Sequence, residues 1–235
     1  MPPADDWSFD AATFAGKARL FPLPDLVMFP HVLQPLHIFE PRYRAMFEAA
    51  MADDQLIAMA VLAPGWEQNY EGRPALESYA CLGRVATHQR LPDGRYNLLL
   101  QGVRRVKLLR ELPPSHAFRE AHVAVCDDVY PPDLTPARPQ LRRRLVDCFK
   151  QLLPKLPAAH EQLDQLLGSE IPLGMLTDLV AYSLDLGHEL KVRLLGEVHV
   201  DRRAQLLLER LDRMASEPFG KPAQANEFPP RFSQN

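Results

Sequence analysis

The side chains best suited to chemistry are eight histidines, at positions 31, 37, 88, 116, 122, 160, 188 and 199, and three cysteines at 81, 126 and 148. A metal site needs such groups close enough to converge, and a catalytic zinc helix would spell H-E-x-x-H. The histidines are dispersed and that motif does not occur. His31, His37 and Glu40 form the one local cluster, across a proline-rich turn and a strand start, where a structural role outweighs a ligand set. An enzyme built on them would require all three to converge. Cys81 and Cys126 sit in strand-like apolar text and read as buried, inert thiols. An odd cysteine count without a C-x-x-C pair fits reduced thiols rather than a disulfide framework.

Phosphate chemistry fares no better. A Walker loop needs upstream glycine, lysine and a hydroxyl so that backbone amides and charge meet the phosphates. The nearest text, Phe14-Ala15-Gly16-Lys17-Ala18, lacks the upstream glycine and the hydroxyl. Neither G-x-G-x-x-G nor a G-x-S-x-G nucleophile elbow occurs. The paired carboxylates Asp53-Asp54 and Asp127-Asp128 close elements and read as solvated ends. No catalytic constellation results, so the expectation is a protein without enzymatic activity, cofactor or metal.

What positions these residues is a chain of 235 residues with net charge −3, 46% hydrophobic and 24% charged, the balance of a globular protein. No apolar run is long enough for a transmembrane helix, and the acidic start MPPADDWSFD is unlike a signal peptide, so the cytoplasm is the expected compartment. Residues 1–17 read as an N-terminal arm. Strand-like text follows in ARLFPL and LQPLHIF, then a short helix over about 41–53 with Pro41 at its first position. The run QLIAMAVLA (55–63) predicts a strand buried on both faces. Residues 64–77 form a long polar loop carrying Trp66 and Tyr70. Two strand-like runs flank Pro92-Asp93-Gly94, a hairpin turn. Gly102 marks a bulge or break, and 118–128 reads as a further strand.

Beyond a proline cluster at 131–139 the text becomes helical. Thr135-Pro136 reads as an N-cap and first helical position, with Leu141, Leu145, Cys148/Phe149, Leu152 and Leu156 on one face. Helices follow at about 158–167, 172–185, 188–196 and 200–215. In the last, Leu206, Leu207, Leu211 and Met214 point inward and Arg202, Arg203, Glu209 and Arg213 outward. The expected organisation is an arm over 1–17, a β-rich subdomain over 18–130, a helical subdomain over 131–216 and a loose tail over 217–235. Net charge is −3 over residues 1–130 and zero over 131–235, which leaves no basic domain to attract nucleic acid.

Two blocks carry a resemblance. LFPLPDLVMFPHVLQPLHIFEPRYRAMFEAAM (20–51) resembles the opening of the N-terminal domain of the ATP-dependent Lon protease, through Pro22, Phe29, Pro30, Pro35, Phe39, Glu40, Arg42 and Tyr43 among others. LGRVATHQRLPDGRYNLLLQGVRRVKLL (82–109) is similar to that domain's hairpin, through Gly83, Pro92, Asp93, Gly94, Arg95, Gly102, Arg104 and Arg105. The helical text 176–211 also looks like the family's following helices, so the likeness spans roughly 18–215.

The resemblance implies an α+β fold, a PUA-like β pseudo-barrel followed by an all-helical bundle, used for substrate recognition. With no Walker loop and no catalytic domain in the text, the expectation is a stand-alone, non-catalytic polypeptide-recognition module. Its partner would be an unfolded or extended polypeptide or a partner protein, with homo-oligomerisation open and no membrane. RNA binding, known among PUA-like barrels, is the alternative, and the charge balance argues against it. Candidate peptide anchors are Trp66 and Tyr70, with Met28 and Phe29 behind them, because aromatic and apolar side chains on loops grip extended chains. An open barrel edge accepting a strand is a further expected mode.

Overall fold

The structure, a computed structural model, describes residues 9–69, 72–152 and 171–216. The chain divides into two compact units at Asp127/Asp128. The first unit holds β1 (Lys17–Leu23), β2 (Leu33–Ile38), α1 (Pro41–Met51), β3 (Leu56–Leu62), β4 (Leu76–Arg90), β5 (Tyr96–Glu111) and β6 (Arg119–Cys126). The sheet order is β2-β5-β4-β3-β1-β6, and β5 also pairs with β6, which closes a ring. Alanines make that closure tight: Ala18, Ala58, Ala60, Ala80 and Ala121 line the interior with Leu20, Leu56, Leu82, Val103, Val106 and Val123. Every residue of β3 is buried. Its even positions face this interior, and its odd positions lie on the face that α1 covers with Tyr43, Met46, Phe47 and Ala50.

β1 and β3 are parallel neighbours, with β2 and α1 in the connection between them. The long hairpin β4–β5 turns where expected. Gly94 has φ +81°, the Leu91 N–H donates to the Arg95 carbonyl at 2.8 Å, and the Arg95 N–H donates to Asp93 Oδ1 at 3.1 Å. Gly94→Ala forces a Cβ into a left-handed backbone position and is expected to lower stability by about 1 kcal/mol, read from urea unfolding.

Gly102 has a different reason. The Phe29–Val32 segment crosses β5 there: the His31 N–H donates to the Gly102 carbonyl at 2.8 Å and the Gly102 N–H to the Val32 carbonyl at 2.9 Å. A Cβ at 102 would lie 3.0 Å from the Phe29 carbonyl carbon and from the Pro30 Cα, and closer still to the Phe29 oxygen. The ladder shifts register beside it, between Leu82 and Gly83 on β4. The residues before β1 are not detached over their described part. Phe9 and Phe14 pair at 5.5 Å between ring centroids and pack on the barrel core, with the Arg104 guanidinium 5.5 Å above the Phe9 ring.

The second unit holds a 3₁₀ turn (Pro132–Ala137), α2 (Arg138–Leu152), α3 (Leu173–Ser183), α4 (His188–Gly196) and α5 (Val200–Ser216). The helix expected to start at Thr135-Pro136 begins at Arg138 instead. Prolines 132 and 136 lie within the tighter turn, and the Thr135 hydroxyl accepts from Arg138 Nη1 at 3.1 Å rather than capping. Leu145, Phe149 and Leu152 form the buried face of α2. The helix expected at 158–167 lies outside the described residues.

α5 departs from expectation most at Arg203. Arg203 points inward and is fully buried, while Leu206 and Met214 are only half-buried beside Ala204, Leu207, Leu208 and Leu211. Its Nη1 and Nη2 donate to Asp128 Oδ1 and Oδ2 at 2.9 and 2.8 Å, its Nε to the Thr177 hydroxyl at 2.7 Å, and Nη1 also to the Glu197 carbonyl at 2.8 Å. The fully buried Asp178 lies 3.6 Å from Nε. Asp128 is therefore an internal ion-pair partner rather than a solvated end. Asp53 and Asp54 pair with Arg19, with Asp53 still largely exposed, and Asp127 is an exposed end as expected.

Candidate functional site

The carboxyl ends of the parallel strands β1 and β3 open onto the amino end of α1, where a groove of about 470 Å³ runs between three segments. Its lining comes from Pro22 and Leu62 at the strand ends, Glu40–Tyr43 at the helix start, Gly72–Pro74, and Pro114 with His116–Arg119. This volume is that of a small-ligand or single-side-chain site. The crossover from β1 through α1 to β3 forces the arrangement, because a parallel pair delivers both strand ends to the same side.

The floor is apolar and the rim is charged. The Tyr43 hydroxyl donates to the Pro22 carbonyl at 3.4 Å, fixing the phenol against the β1 end, and the Tyr43 ring lies 4.4 Å from Phe21. The Arg42 guanidinium sits 4.7 Å above the Tyr43 ring centroid and donates to Glu40 at 2.9 Å. Pro41 occupies the first position of α1, no acidic residue follows in that turn, and Glu40 makes no side-chain cap. On the opposite wall, the His116 and Phe118 rings stack with centroids 4.9 Å apart.

A latch of three charged groups holds the remaining wall. Arg119 donates through Nε and Nη2 to both Glu111 oxygens and through Nη1 to the Pro74 carbonyl at 2.9 Å. Arg73 donates to the same Glu111 at 2.8 Å and to the Leu112 carbonyl at 3.2 Å. The 64–75 segment is thus tied down at Arg73–Pro74, and the Ala63 N–H closes it onto the Ala75 carbonyl at 2.9 Å. Burial opposes ionisation of Glu111, but the hydrogen bonds and charges of Arg119 and Arg73 outweigh it and hold the carboxyl below its ordinary value. A carboxyl depressed in the folded state stabilises above its unfolded pKa, about 4.3, and that stabilisation is lost as pH falls through the lower folded value. Protease cleavage within 64–75 is therefore expected to be slow at pH 7 and to accelerate below about pH 4, where Glu111→Gln abolishes the difference.

The four sequence-derived anchors fare differently. Trp66 is half-buried in a short 3₁₀ turn, Trp66–Asn69, on the segment whose later residues 72–74 line the groove. Tyr70 lies outside the described residues. Met28 and Phe29 are fully buried in the core, with the Phe29 carbonyl pressed against Gly102, so they present no surface to a ligand. The proline-rich text around them is a segment laid over the hairpin rather than an exposed loop. His31, His37 and Glu40 do not form a metal-binding group, and none of three or more His, Cys, Asp or Glu exists among the described residues. His37 Nδ1 is 2.6 Å from Asn97 Oδ1 and its Nε2 3.3 Å from Arg95 Nη1, while Glu40 turns to Arg42. Cys81 is buried, and desolvation pushes the Cys126 thiol upward, away from a reactive thiolate. What sequence reasoning missed is the Arg73–Glu111–Arg119 latch, whose members are charged residues on three separated segments with no local spacing to betray them.

The expected open edge is also narrower than anticipated. The ring is closed by β5, β4, β3, β1 and β6, and β2, which pairs only with β5, has no paired strand on its outer side among the described residues. Pro35 sits in it without an N–H, and its carbonyl accepts the Gln34 side-chain amide at 2.9 Å. At that position an incoming strand finds neither a donor nor a bare acceptor. Leu33, at 53% exposure, and Phe39 remain as exposed apolar residues beside it. No helix among the described residues is long and apolar enough to cross a membrane.

Comparison with known proteins agrees with this architecture. The profile of the ATP-dependent protease La (LON) substrate-binding domain matches residues 17–213. Lon protease of Anaeromyxobacter dehalogenans is 28% identical over 200 residues, covering 83% of this chain and 23% of the relative. Lon protease 2 of Desulfotalea psychrophila is 30% identical over 207 residues, covering 83% and 24%. The chain thus spans about a quarter of the length of these relatives. Two solved structures share the fold. The N-terminal domain of Mycobacterium avium complex Lon protease superposes with a TM-score of 0.64 at 17% identity, covering 83% of this chain and 98% of that one. A Lon N-terminal domain protein from Xanthomonas campestris gives 0.58 at 22% identity, covering 82% and 97%. With its α+β architecture, a six-stranded sheet and following helices matched across 17–213, the chain belongs to the LON substrate-binding domain family.

Proposed function

We propose that this chain is a recognition module that binds unfolded or extended polypeptide, performs no chemistry on it, and holds it in the groove at the carboxyl ends of β1 and β3. The family's substrate-binding description supports binding as the role, and the substrates of a protease are polypeptides. The observation that carries the location is the groove itself, with an apolar floor of Pro22, Tyr43, Leu62 and Phe118 beneath a rim of charged and backbone polar groups. Such a combination suits a peptide: one apolar side chain enters while its main chain and neighbours meet polar groups. Half-buried Trp66 stands on the segment whose residues 72–74 line the groove and is taken as an anchor beside it, with Tyr70 the second anchor expected from the sequence. A client delivered here would pass on to a protease or be released intact.

Titration of the protein with a reduced, carboxymethylated, permanently unfolded polypeptide tests this reading. Saturable binding at micromolar concentration is expected, weakened roughly tenfold in the double variant Trp66→Ala, Tyr70→Ala, since aromatic anchors carry most interface energy. Absence of saturable binding by wild type contradicts it.

A further inference from the structure

We infer that the groove selects polypeptide segments bearing a carboxylate next to an apolar side chain, an inference that rests on the polypeptide-binding reading above. The evidence is a local inversion of charge. Residues 1–130 carry a net charge of −3, yet Arg42, Arg73 and Arg119 line the groove and Glu40 is the only carboxylate among the described lining residues. Glu111, behind the wall, is shared by Arg73 and Arg119, so one positive charge remains over from that latch. Arg42 and Glu40 are both about one-quarter exposed at the rim, and an incoming carboxylate exchanges with Glu40 for the guanidinium.

Geometry places this positive charge beside the apolar floor. Arg42 lies against the Tyr43 ring that forms part of that floor, so a carboxylate held by Arg42 brings the adjoining side chain over Tyr43, Leu62 and Phe118. The positive end of α1, which has no acidic residue in its first turn, adds to the same potential. Planar guanidiniums pair with carboxylates in a bidentate geometry that lysine cannot reproduce. The carboxylate has two sources in a polypeptide, an aspartate or glutamate side chain and the free C-terminus, and the experiment separates them.

The probes are short N-acetylated peptides of leucine, serine and tyrosine carrying one aspartate or one asparagine, each made as the free acid and as the C-terminal amide. Calorimetric titration of wild-type protein is expected to give binding at least about tenfold tighter for the carboxylate-bearing forms than for the asparagine amide, and to weaken with added salt. Loss on amidation assigns the terminal carboxylate, and loss on Asp→Asn exchange assigns the side chain. Arg42→Gln and Arg73→Gln, whose side chains are partly exposed, are each expected to remove most of that preference, with Arg42→Lys restoring only part. Equal binding of all four peptides, unchanged in the variants, overturns carboxylate selection and leaves polypeptide recognition standing. Binding of none of them overturns both.

Discussion

Arg203→Met is expected to lower the stability of the helical unit by about 3–5 kcal/mol, the cost of breaking a buried charge pair from one side. Asp178 and Arg203 are fully buried, and Asp128 reaches Arg203 through two parallel hydrogen bonds. With the guanidinium gone, two carboxylates face each other without a cation, and the Thr177 hydroxyl and the Glu197 carbonyl lose their donor. The neighbourhood has no room to relax. A Cβ on Gly174 would already meet the Tyr130 hydroxyl at 2.7 Å and Arg203 Nη2 at 3.1 Å. Urea unfolding followed by helical circular dichroism checks the figure. Replacing the cluster as a whole, with Arg203→Met, Asp128→Asn and Asp178→Leu together, is expected to recover most of the loss, because no unpaired charge is then left inside. A single variant within about 1 kcal/mol of wild type would mean that water reaches the cluster.

Gly102→Ala is the second large effect, about 3 kcal/mol or more, through overpacking against backbone rather than side chain. The added Cβ meets the Phe29 carbonyl and the Pro30 Cα, and neither can swing aside as a flexible side-chain end would. Two hydrogen bonds tie the 29–32 segment across β5 at that residue, so a shift that relieves the clash also loosens them. Since Phe29 is among the largest fully buried side chains, the displacement reaches the core beneath. A drop in thermal midpoint of well over 5 °C is expected for a domain of this size, and wild-type melting would contradict the crossing-backbone explanation.

Legibility in the sequence tracked how local the cause was. β3 was readable because the apolar run 55–63 has strand length and polar flanks, and the β4–β5 turn because Pro92-Asp93-Gly94 carries its own backbone chemistry. Arg203 was misread for the opposite reason. Its position on α5 lies on the apolar side, next to Val200, Ala204 and Leu207, and only its charge argued for solvent. The acid that reverses that argument stands 75 residues away. Met28 and Phe29 failed likewise: proline-rich flanks look like a loop, and nothing nearby says that the loop is laid against Gly102. Within the groove, the first turn of α1 was legible from Pro41, whereas Glu40, grouped in the text with His31 and His37, turns instead to Arg42. The opposite wall was not, because Arg73, Glu111 and Arg119 meet only after the ring closes.

The central claim is that polypeptide binds at the β1–β3 groove. Photo-crosslinking tests it most directly, with p-benzoylphenylalanine placed singly at His116 on the groove wall, at Leu33 beside the β2 edge and at exposed Leu109 on β5. Each protein is irradiated with the permanently unfolded polypeptide, and adducts are read by mass. The account predicts strong adducts from position 116, abolished by excess unlabelled polypeptide, and background levels from 33 and 109. Adducts confined to position 33, or equal at all three, would contradict it.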